Sequence, residues 1–276
     1  MPELPEVETT ARDLARVLPG RVLAGARVDW PRQVPGTDPA ALDRDVCGRS
    51  VVEVARRGKY VVVRLSAGWL LFHLKMSGSL QVVGPDAPPD PHVHVAFPLA
   101  GGGELRLRDP RKFGRAYLVD DPETVLGRLG PEPLDEGFSA EALRAGLARR
   151  RRRLKPLLVD QTFLAGLGNI YVDEALWAAG LHPLRRSDRL SAAEAGRLYD
   201  SIRRVLAAGI LARGTSLSRG GFRDLAGNYG EMQASLAVFR RTGQPCPRCG
   251  ESIVHLVVGG RSTHICPACQ APEAPI

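Results

Sequence analysis

The chain has 276 residues, of which 44% are hydrophobic and 25% are charged, and this composition is typical of a globular protein. The length allows two domains with separate cores, and no stretch approaches the roughly 18 uncharged apolar residues that a membrane-spanning helix needs. Lysine and arginine outnumber aspartate and glutamate by 38 to 30, which predicts a polyanionic partner: nucleic acid first, an anionic membrane surface second.

The amino terminus, MPELPEVETT, is acidic and lacks the basic and apolar regions of a signal peptide, so we expect a cytoplasmic protein. Apolar residues at helical spacing over 2–19, ending at Pro19 and Gly20, predict one helix. Taken alone, Pro2, Glu3 and Glu6 fit the first turn of that helix, because proline suits this turn and acids complement the helix dipole.

Residues 21–120 change to short β-rich runs punctuated by glycine, proline and aspartate, a pattern typical of a β-sandwich. The predicted strands are 51–54, 60–65, 69–74, 80–83, 92–97 and 104–108. A stretch rich in proline, glycine and aspartate over 121–137 predicts a linker.

The next section is predicted to be helical, so the fold class is α+β with two domains. Apolar residues recur at intervals of three and four over 139–152, 154–165, 169–179 and 191–213. Residues 214–235 hold five glycines and no clear period, which predicts a mobile loop. The arginine run 149–153 is equally consistent with a solvated face and with direct phosphate contact.

Four cysteines in two CxxC pairs close the chain, separated by 16 residues. This spacing predicts one structural zinc ion in a tetrahedral thiolate site, with a β-hairpin between the pairs that turns at Gly259-Gly260. Disulfides are the alternative, which a reducing compartment disfavours. Cys47 stands apart and is predicted to be a buried small hydrophobic residue. The predicted zinc ligands are Cys246, Cys249, Cys266 and Cys269.

Two histidines lie between the cysteine pairs. His255 and His264 could serve as additional metal ligands, but their place in the hairpin favours its surface.

Six short segments stand out along the chain: PELPEVE at 2–8, RGKY at 57–60, HLKMSG at 73–78, DPRKFG at 109–114, GLGNIYVDE at 166–174 and GRSTHIC at 260–266. Together and in this order they resemble the motifs of the bacterial formamidopyrimidine-DNA glycosylase family (Fpg, also called MutM). Leu4 favours this family over the related endonuclease VIII branch, which usually has glycine at that place.

The resemblance implies a two-domain organisation with one structural zinc, no nucleotide cofactor and a monomeric state. A catalytic β-sandwich with an amino-terminal helix would span 1–120 and a linker 121–137. A helix–two-turn–helix DNA-binding domain would span 138–235, with a mobile lesion loop at 214–233, followed by a zinc finger at 236–270 and a tail at 271–276. We therefore expect a bacterial, nucleoid-associated protein whose partner is damaged double-stranded DNA.

The resemblance also implies a bifunctional DNA glycosylase and AP lyase that removes oxidised purines, such as 8-oxoguanine and formamidopyrimidines, by β,δ-elimination in base excision repair. Met1 would be removed, and the amine of Pro2 would act as the nucleophile. A chain-terminal amine titrates near 8 against about 10.4 for lysine, so more of it is unprotonated at neutral pH. Glu3 would be the general acid and base, with Lys59 and Arg261 completing the catalytic set.

The remaining site residues implied by the resemblance contact DNA or the lesion. Met76 would fill the space of a flipped nucleotide, Arg111 would bond the orphaned base and Phe113 would wedge the neighbouring step. His73 and Asn169 would contact phosphate or the lesion, and Glu6 would position water or the lesion.

The loop at 214–233 departs from the usual family pattern, so the family's preference among damaged bases is the property that carries over to this chain least securely. Two alternative functions stay open: an endonuclease VIII-like glycosylase for oxidised pyrimidines, and a non-catalytic zinc protein that binds damaged DNA.

Overall fold

The computed structural model describes residues 1–217 and 221–272, which form two compact units. The first holds Met1–Gly127 and the described residues of Ala212–Glu231, and the second holds Arg128–Leu211 and the described residues from Met232 onward. The predicted linker 121–137 is thus divided between the units at Gly127. Residues 212–231 group with the first unit, whereas the predicted boundaries placed them in the helical domain.

The first unit is a β-sandwich of two four-stranded antiparallel sheets. One sheet has the order β1-β6-β7-β5 and the other β2-β3-β4-β8. The strands are β1 (Arg27–Val28), β2 (Val51–Arg57), β3 (Tyr60–Leu65), β4 (Trp69–His73), β5 (Ser79–Val83), β6 (Val93–Pro98), β7 (Glu104–Arg108) and β8 (Arg115–Val119).

Alternating apolar side chains build the core of the sandwich. Val61 and Val63 on β3 are fully buried, because successive side chains of a strand point to opposite faces and these two share the inner one. Phe72 on β4 and Phe97 on β6 meet edge to face with ring centroids 5.8 Å apart, which joins the two sheets. Leu14 from the amino-terminal helix completes the same cluster.

The helices of the first unit are α1 (Leu4–Leu14), α2 (Pro39–Val46) and the short α3 (Glu123–Leu126), which lies inside the predicted linker. Helix α1 ends earlier than the predicted 2–19, because the amides of Arg16 and Val17 bond to carbonyls only three residues back. Cys47 follows α2 directly and is exposed, so the prediction of a buried Cys47 was wrong.

The second unit is helical up to the hairpin that lies between the two cysteine pairs, at 254–265 (the zinc hairpin). The predicted helix 154–165 is cut short at Leu158, because the Asp160 carboxylate accepts bonds from the amide and hydroxyl of Thr162, which forms a turn. Gly180, with φ 68°, ends α6 in the left-handed conformation. The elements are α4 (Ala140–Ala148), α5 (Leu154–Leu158), α6 (Asn169–Ala179), α7 (Ala192–Leu211), β9 (Val254–Val258) and β10 (Arg261–Ile265).

Strands β9 and β10 pair antiparallel around the predicted turn, with Val254 opposite Ile265. Within 1–217 and 221–272, no helix combines the length and apolar character needed to cross a bilayer. Part of the predicted mobile loop (218–220) and most of the predicted tail (273–276) lie outside the described residues.

Candidate active site and zinc centre

The start of α1 buries two carboxylates directly after Pro2. Glu3 and Glu6 are 2% and 1% exposed, and Pro2 is also buried. The backbone amide of Glu3 donates to Glu6 Oε2 at 2.7 Å, and the amide of Glu6 donates to the Glu3 side chain. This reciprocal capping box fixes both carboxylates at the positive end of the helix dipole, beside the residue predicted to react.

Glu6 also joins α1 to the segment that follows α7. Its second oxygen, Oε1, accepts a bond of 2.7 Å from the amide of Thr215. Gly214 has φ 88°, and a Cβ built there would lie 2.8 Å from Cγ of Glu6. Glycine is therefore required at this close approach, and residue 215 is fixed beside the amino-terminal carboxylates.

Lys59, in a turn, and His73, at the end of β4, influence each other electrostatically in the first unit. Lys59 is 5% exposed in the turn that leads into β3, and the ring of Tyr60 stacks edge to face on His73 at 4.7 Å. Burial, followed by the charges of Lys75 and Lys59, lowers the pKa of His73 to about 3. His73 Nδ1 accepts the amide of Lys75 at 3.0 Å, so the neutral ring presents Nε2 as a donor.

Met76 and Phe113 are exposed apolar side chains on two loops of the first unit. They are 46% and 45% exposed, and the guanidinium of Arg111 lies 4.9 Å from the centre of the Phe113 ring. Exposed apolar and planar cationic groups in one place suit insertion into a base stack better than packing in a core.

Asp109, which is fully buried, ties these two loops together. Its Oδ1 accepts the hydroxyl of Ser77 at 2.5 Å and the amide of Arg111 at 3.1 Å, while Oδ2 accepts the amide of Gly114 at 2.6 Å. Ser77 follows Met76, so one carboxylate sets both loops. Asp109 was part of a quoted motif, but its role depends on a partner 32 positions away that no local pattern reveals.

In the second unit, a buried network fastens the zinc hairpin to α6. Lys155 Nζ donates to Asp173 Oδ1 at 2.6 Å and to the carbonyl of Ser262 at 2.8 Å, and Asn169 Nδ2 reaches the same carbonyl at 2.8 Å. Asp173 Oδ2 accepts the amide of His264 at 2.9 Å.

Three consequences concern the predicted residues of this unit. Arg261, next to Ser262 at the hairpin turn, is exposed and available to a ligand. His264 is buried and lies 3.2 Å from Asp173, so the prediction of a surface position fails for His264 and holds for the exposed His255. Among residues 1–217 and 221–272, the buried Oδ1 of Asn169 has no hydrogen-bond partner, whereas its Nδ2 donates to Ser262.

The four predicted cysteines converge as the spacing requires. Their ligand atoms all lie within 4.8 Å of one another, and Sγ of Cys249 is 3.4 Å from that of Cys266. A tetrahedral ion with Zn–S bonds of about 2.3 Å separates sulfurs by roughly 3.8 Å, so the cluster fits zinc. Because all four ligands come from the protein, the site is structural.

Hydrogen bonds prepare Cys246 for a metal. Burial opposes ionisation of this thiol, but the amide of Arg248 and the indole N–H of Trp177, each 3.4 Å from Sγ, lower its pKa to about 6. Donors around a thiolate stabilise its charge and orient it toward the ion.

Family models match most of the chain. Residues 1–116 match the formamidopyrimidine-DNA glycosylase N-terminal domain, residues 129–219 the H2TH domain of the same enzymes, and residues 243–272 a zinc finger found in FPG and IleRS. The chain belongs to the formamidopyrimidine-DNA glycosylase family. Its two-domain α+β fold and its single structural zinc are those of Fpg proteins.

Individual Fpg proteins resemble it over their whole length. The "Formamidopyrimidine-DNA glycosylase" of Protochlamydia amoebophila is 47% identical, and the match covers 98% of this chain and 99% of the relative. That of Herpetosiphon aurantiacus is 46% identical, and the match covers 98% of this chain and 100% of the relative. The crystal structure of MutM (Fpg) from Thermus thermophilus is 40% identical and covers 99% of this chain and 100% of its own, with a TM-score of 0.89. A Lactococcus lactis Fpg in complex with DNA containing an abasic site is 36% identical, and the match covers 98% of this chain and 100% of that protein, with a TM-score of 0.90.

The predicted residues of this Fpg protein divide between its units. Pro2, Glu3, Glu6, Lys59, His73, Met76, Arg111 and Phe113 lie on the first unit, and Asn169, Arg261 and the four cysteines lie on the second. Within each unit, residues far apart in sequence are brought together, which sequence patterns alone did not reveal for Asp109, Lys155, Asp173 and Thr215.

Proposed function

We propose that this Fpg protein is a bifunctional DNA glycosylase and AP lyase that excises oxidised purines from damaged double-stranded DNA, with Pro2 as nucleophile. The observation that carries the proposal is the pair of buried carboxylates of Glu3 and Glu6, cross-bonded at the start of α1 directly after Pro2. A merely solvated helix start would leave these acids exposed to water.

The chemistry begins once Met1 is removed and the Pro2 nitrogen becomes the chain terminus. That nitrogen attacks the sugar C1′, the bond from C1′ to the damaged base breaks, and the base leaves with the bonding electrons and takes up the proton that the nitrogen loses. Glu3 protonates the sugar ring oxygen as the ring opens. The product is an iminium ion in which C1′ remains bonded to Pro2.

The iminium then drives strand cleavage. Because it cannot lose its charge by deprotonation at nitrogen, it withdraws electrons from C2′ and makes the C2′ proton acidic. Loss of that proton expels the 3′ phosphate by β-elimination, and a second elimination expels the 5′ phosphate. Water finally releases the sugar fragment and regenerates the Pro2 amine.

Other groups of the first unit hold the opened DNA. Met76, Arg111 and Phe113 fill the vacated stack and bond the orphaned base, for which the planar donor fork of Arg111 suits the acceptors of cytosine. Lys59 and the neutral His73 contribute donors toward the lesion strand. These contacts favour damage opposite cytosine, and hence oxidised guanine over oxidised pyrimidines.

The second unit contacts the phosphate backbone of the DNA. Arg261 at the hairpin turn and Asn169 at the start of α6 hold phosphates beside the flipped nucleotide, because amides at a helix start and a guanidinium both favour anions. Zinc supplies no chemistry to the reaction and fixes the hairpin that presents Arg261. Because the substrate is chromosomal DNA, we place the protein at the bacterial nucleoid, where it acts as a monomer.

Borohydride trapping on a duplex with 8-oxoguanine opposite cytosine tests the proposal, because reduction of the iminium leaves a permanent link between Pro2 and DNA. Processed protein should form the adduct and cleave the strand, and protein that retains Met1 should do neither. Glu3→Gln should lose base excision by at least about a hundredfold, whereas Glu53→Gln, at an exposed acid, should match the unaltered protein.

The alternatives give different outcomes in the same assay. Binding without any adduct would identify a non-catalytic DNA-binding protein. Faster trapping on thymine glycol than on 8-oxoguanine would identify a pyrimidine-specific glycosylase. Full activity with Met1 attached would remove Pro2 from the mechanism.

A further inference from the structure

An arginine between two carboxylates ties the described residues of the 212–231 segment to α1. Arg213 Nη2 donates to Asp13 Oδ2 on α1 at 2.6 Å and to Asp224 Oδ2 at 2.8 Å, and Nε reaches the same oxygen of Asp224 at 3.0 Å. The side chains of Asp13 and Asp224 are only 9% and 4% exposed, whereas that of Arg213 is 44% exposed. Water therefore reaches the guanidinium of this Arg213 clamp, while the two carboxylates that hold it are shielded.

The backbone of Arg213 adopts a conformation that its side-chain contacts help to maintain. Its φ is 54°, in the left-handed region that arginine adopts rarely. Such a conformation persists only where surrounding contacts determine it. Here the contacts are the two carboxylates, which also accept backbone amides of the same segment: Asn228 donates to Asp224 at 2.8 Å and Leu225 to Asp13 at 3.4 Å.

The segment meets α1 at a second place, beside the predicted nucleophile. Thr215, two residues after Arg213, donates its amide to Glu6, whose other carboxylate oxygen accepts the amide of Glu3. Glu6 and Asp13 lie about two turns apart on α1. The clamp at Asp13 therefore fixes the segment on the same rigid helix that carries the amino-terminal carboxylates.

We infer that Arg213, held by Asp13 and Asp224, is a positioning residue that sets residues 212–217 for recognition of the damaged base. The inference rests on the proposed function. If Pro2 attacks C1′, the base bonded to C1′ lies next to Pro2, and Glu6 and Thr215 are the groups at that place. An abasic site has no base to recognise, so its cleavage does not need this placement.

The test compares two substrates for each variant: excision of 8-oxoguanine and cleavage at a preformed abasic site. Arg213→Asn removes the guanidinium and keeps a residue that tolerates positive φ. We expect the ratio of excision to abasic-site cleavage to fall about tenfold, because misplaced binding groups cost the reaction that uses them. Asp13→Asn should lower the ratio to a similar extent, and the double variant no further than either single one.

Two controls separate positioning from general folding. Arg240→Asn makes the same change at another arginine of positive φ, 59°, in the second unit, and should leave the ratio unchanged. Arg213→Lys retains the charge and should recover part of the ratio. Hydrogen exchange of the peptide covering 212–217 should quicken in Arg213→Asn, because the Thr215 amide loses its fixed place.

The outcomes are distinct. An unchanged ratio in both Arg213→Asn and Asp13→Asn overturns the inference, as does an equal fall in Arg240→Asn. If Arg213→Asn does not fold, the ratio of excision to abasic-site cleavage measured for Asp13→Asn decides the test. If the unaltered protein acts on neither substrate, the proposed function fails, and the exchange of 212–217 still decides whether Arg213 positions the segment.

Discussion

His73 is a residue whose burial has a measurable consequence for stability. The unfolded chain takes up a proton at His73 below its ordinary pKa of about 6.5, whereas the folded protein does so only near pH 3. The free energy of unfolding contributed by His73 is therefore complete above pH 6.5 and is lost as the pH falls from there, by up to about 1.4 kcal/mol per pH unit.

Urea unfolding between pH 7 and pH 4 checks this prediction. Carboxylates titrate in part of the same range, so the useful quantity is the difference between the unaltered protein and His73→Asn, which can still accept the Lys75 amide. Relative to the unaltered protein, the free energy of unfolding of His73→Asn should rise by about 1.4 kcal/mol for each pH unit below pH 6. Parallel profiles for the two proteins would show that His73 is not buried in its neutral form.

Asp109 connects the two loops that carry Met76 and Phe113. Asp109→Asn replaces an acceptor by an N–H, so one of its three donors, from Ser77, Arg111 or Gly114, loses its partner in a buried place. We expect a loss of about 1–3 kcal/mol of stability. Base flipping, followed by the fluorescence of 2-aminopurine beside the lesion, should also slow, because Met76 and Arg111 are no longer set together.

Asp45→Asn, at an exposed acid on α2, is the matched control and should change neither quantity. Normal flipping kinetics in a folded Asp109→Asn protein would show that the loops are ordered by something else.

At the scale of elements, the sequence predicted those helices, strands and metal ligands that patterns of neighbouring residues encode. The apolar runs of β3 and β4, the period of α6 and the CxxC pairs each involve neighbours along the chain, and the structure confirms them. Strand β8 was not predicted, and four of its five residues are only partly buried. The Arg213–Asp13 pair spans 200 positions, and no local pattern could reveal it.

The attachment of the zinc hairpin to α6 gives a prediction at this scale. Lys155 and Asp173 are both fully buried, so Lys155→Met leaves a carboxylate without its cation. We expect a loss of about 3–5 kcal/mol in urea unfolding and faster removal of zinc by a chelator. Adding Asp173→Leu should restore part of the stability, since a buried apolar pair avoids the unpaired charge.

Arg186→Met breaks a more exposed pair, with Asp188, at 2.8 Å, and should cost less than about 1 kcal/mol. Equal effects of Lys155→Met and Arg186→Met would show that the buried pair is not what fastens the hairpin.

For the whole molecule, the charge surplus is concentrated in the second half of the chain. Residues 1–134 contain 18 lysines and arginines against 17 acids, whereas residues 135–276 contain 20 against 13. We therefore expect general phosphate affinity to come mainly from the helical and zinc region. Within the arginine run 149–153, Arg152 is bonded to Asp160 at 2.7 Å, while Arg151 is exposed.

The salt dependence of DNA binding distinguishes a local phosphate contact from net charge. If Arg151 neutralises one phosphate, Arg151→Gln should weaken binding equally for damaged and undamaged duplexes and reduce the slope of log K against log salt by about 0.9. Arg44→Gln removes the same charge from an exposed position on α2 in the nearly neutral half, and should leave the slope unchanged. Equal changes in the two variants would show that the surplus acts only as overall charge, and an unchanged slope in both would make the arginine run a solvated face.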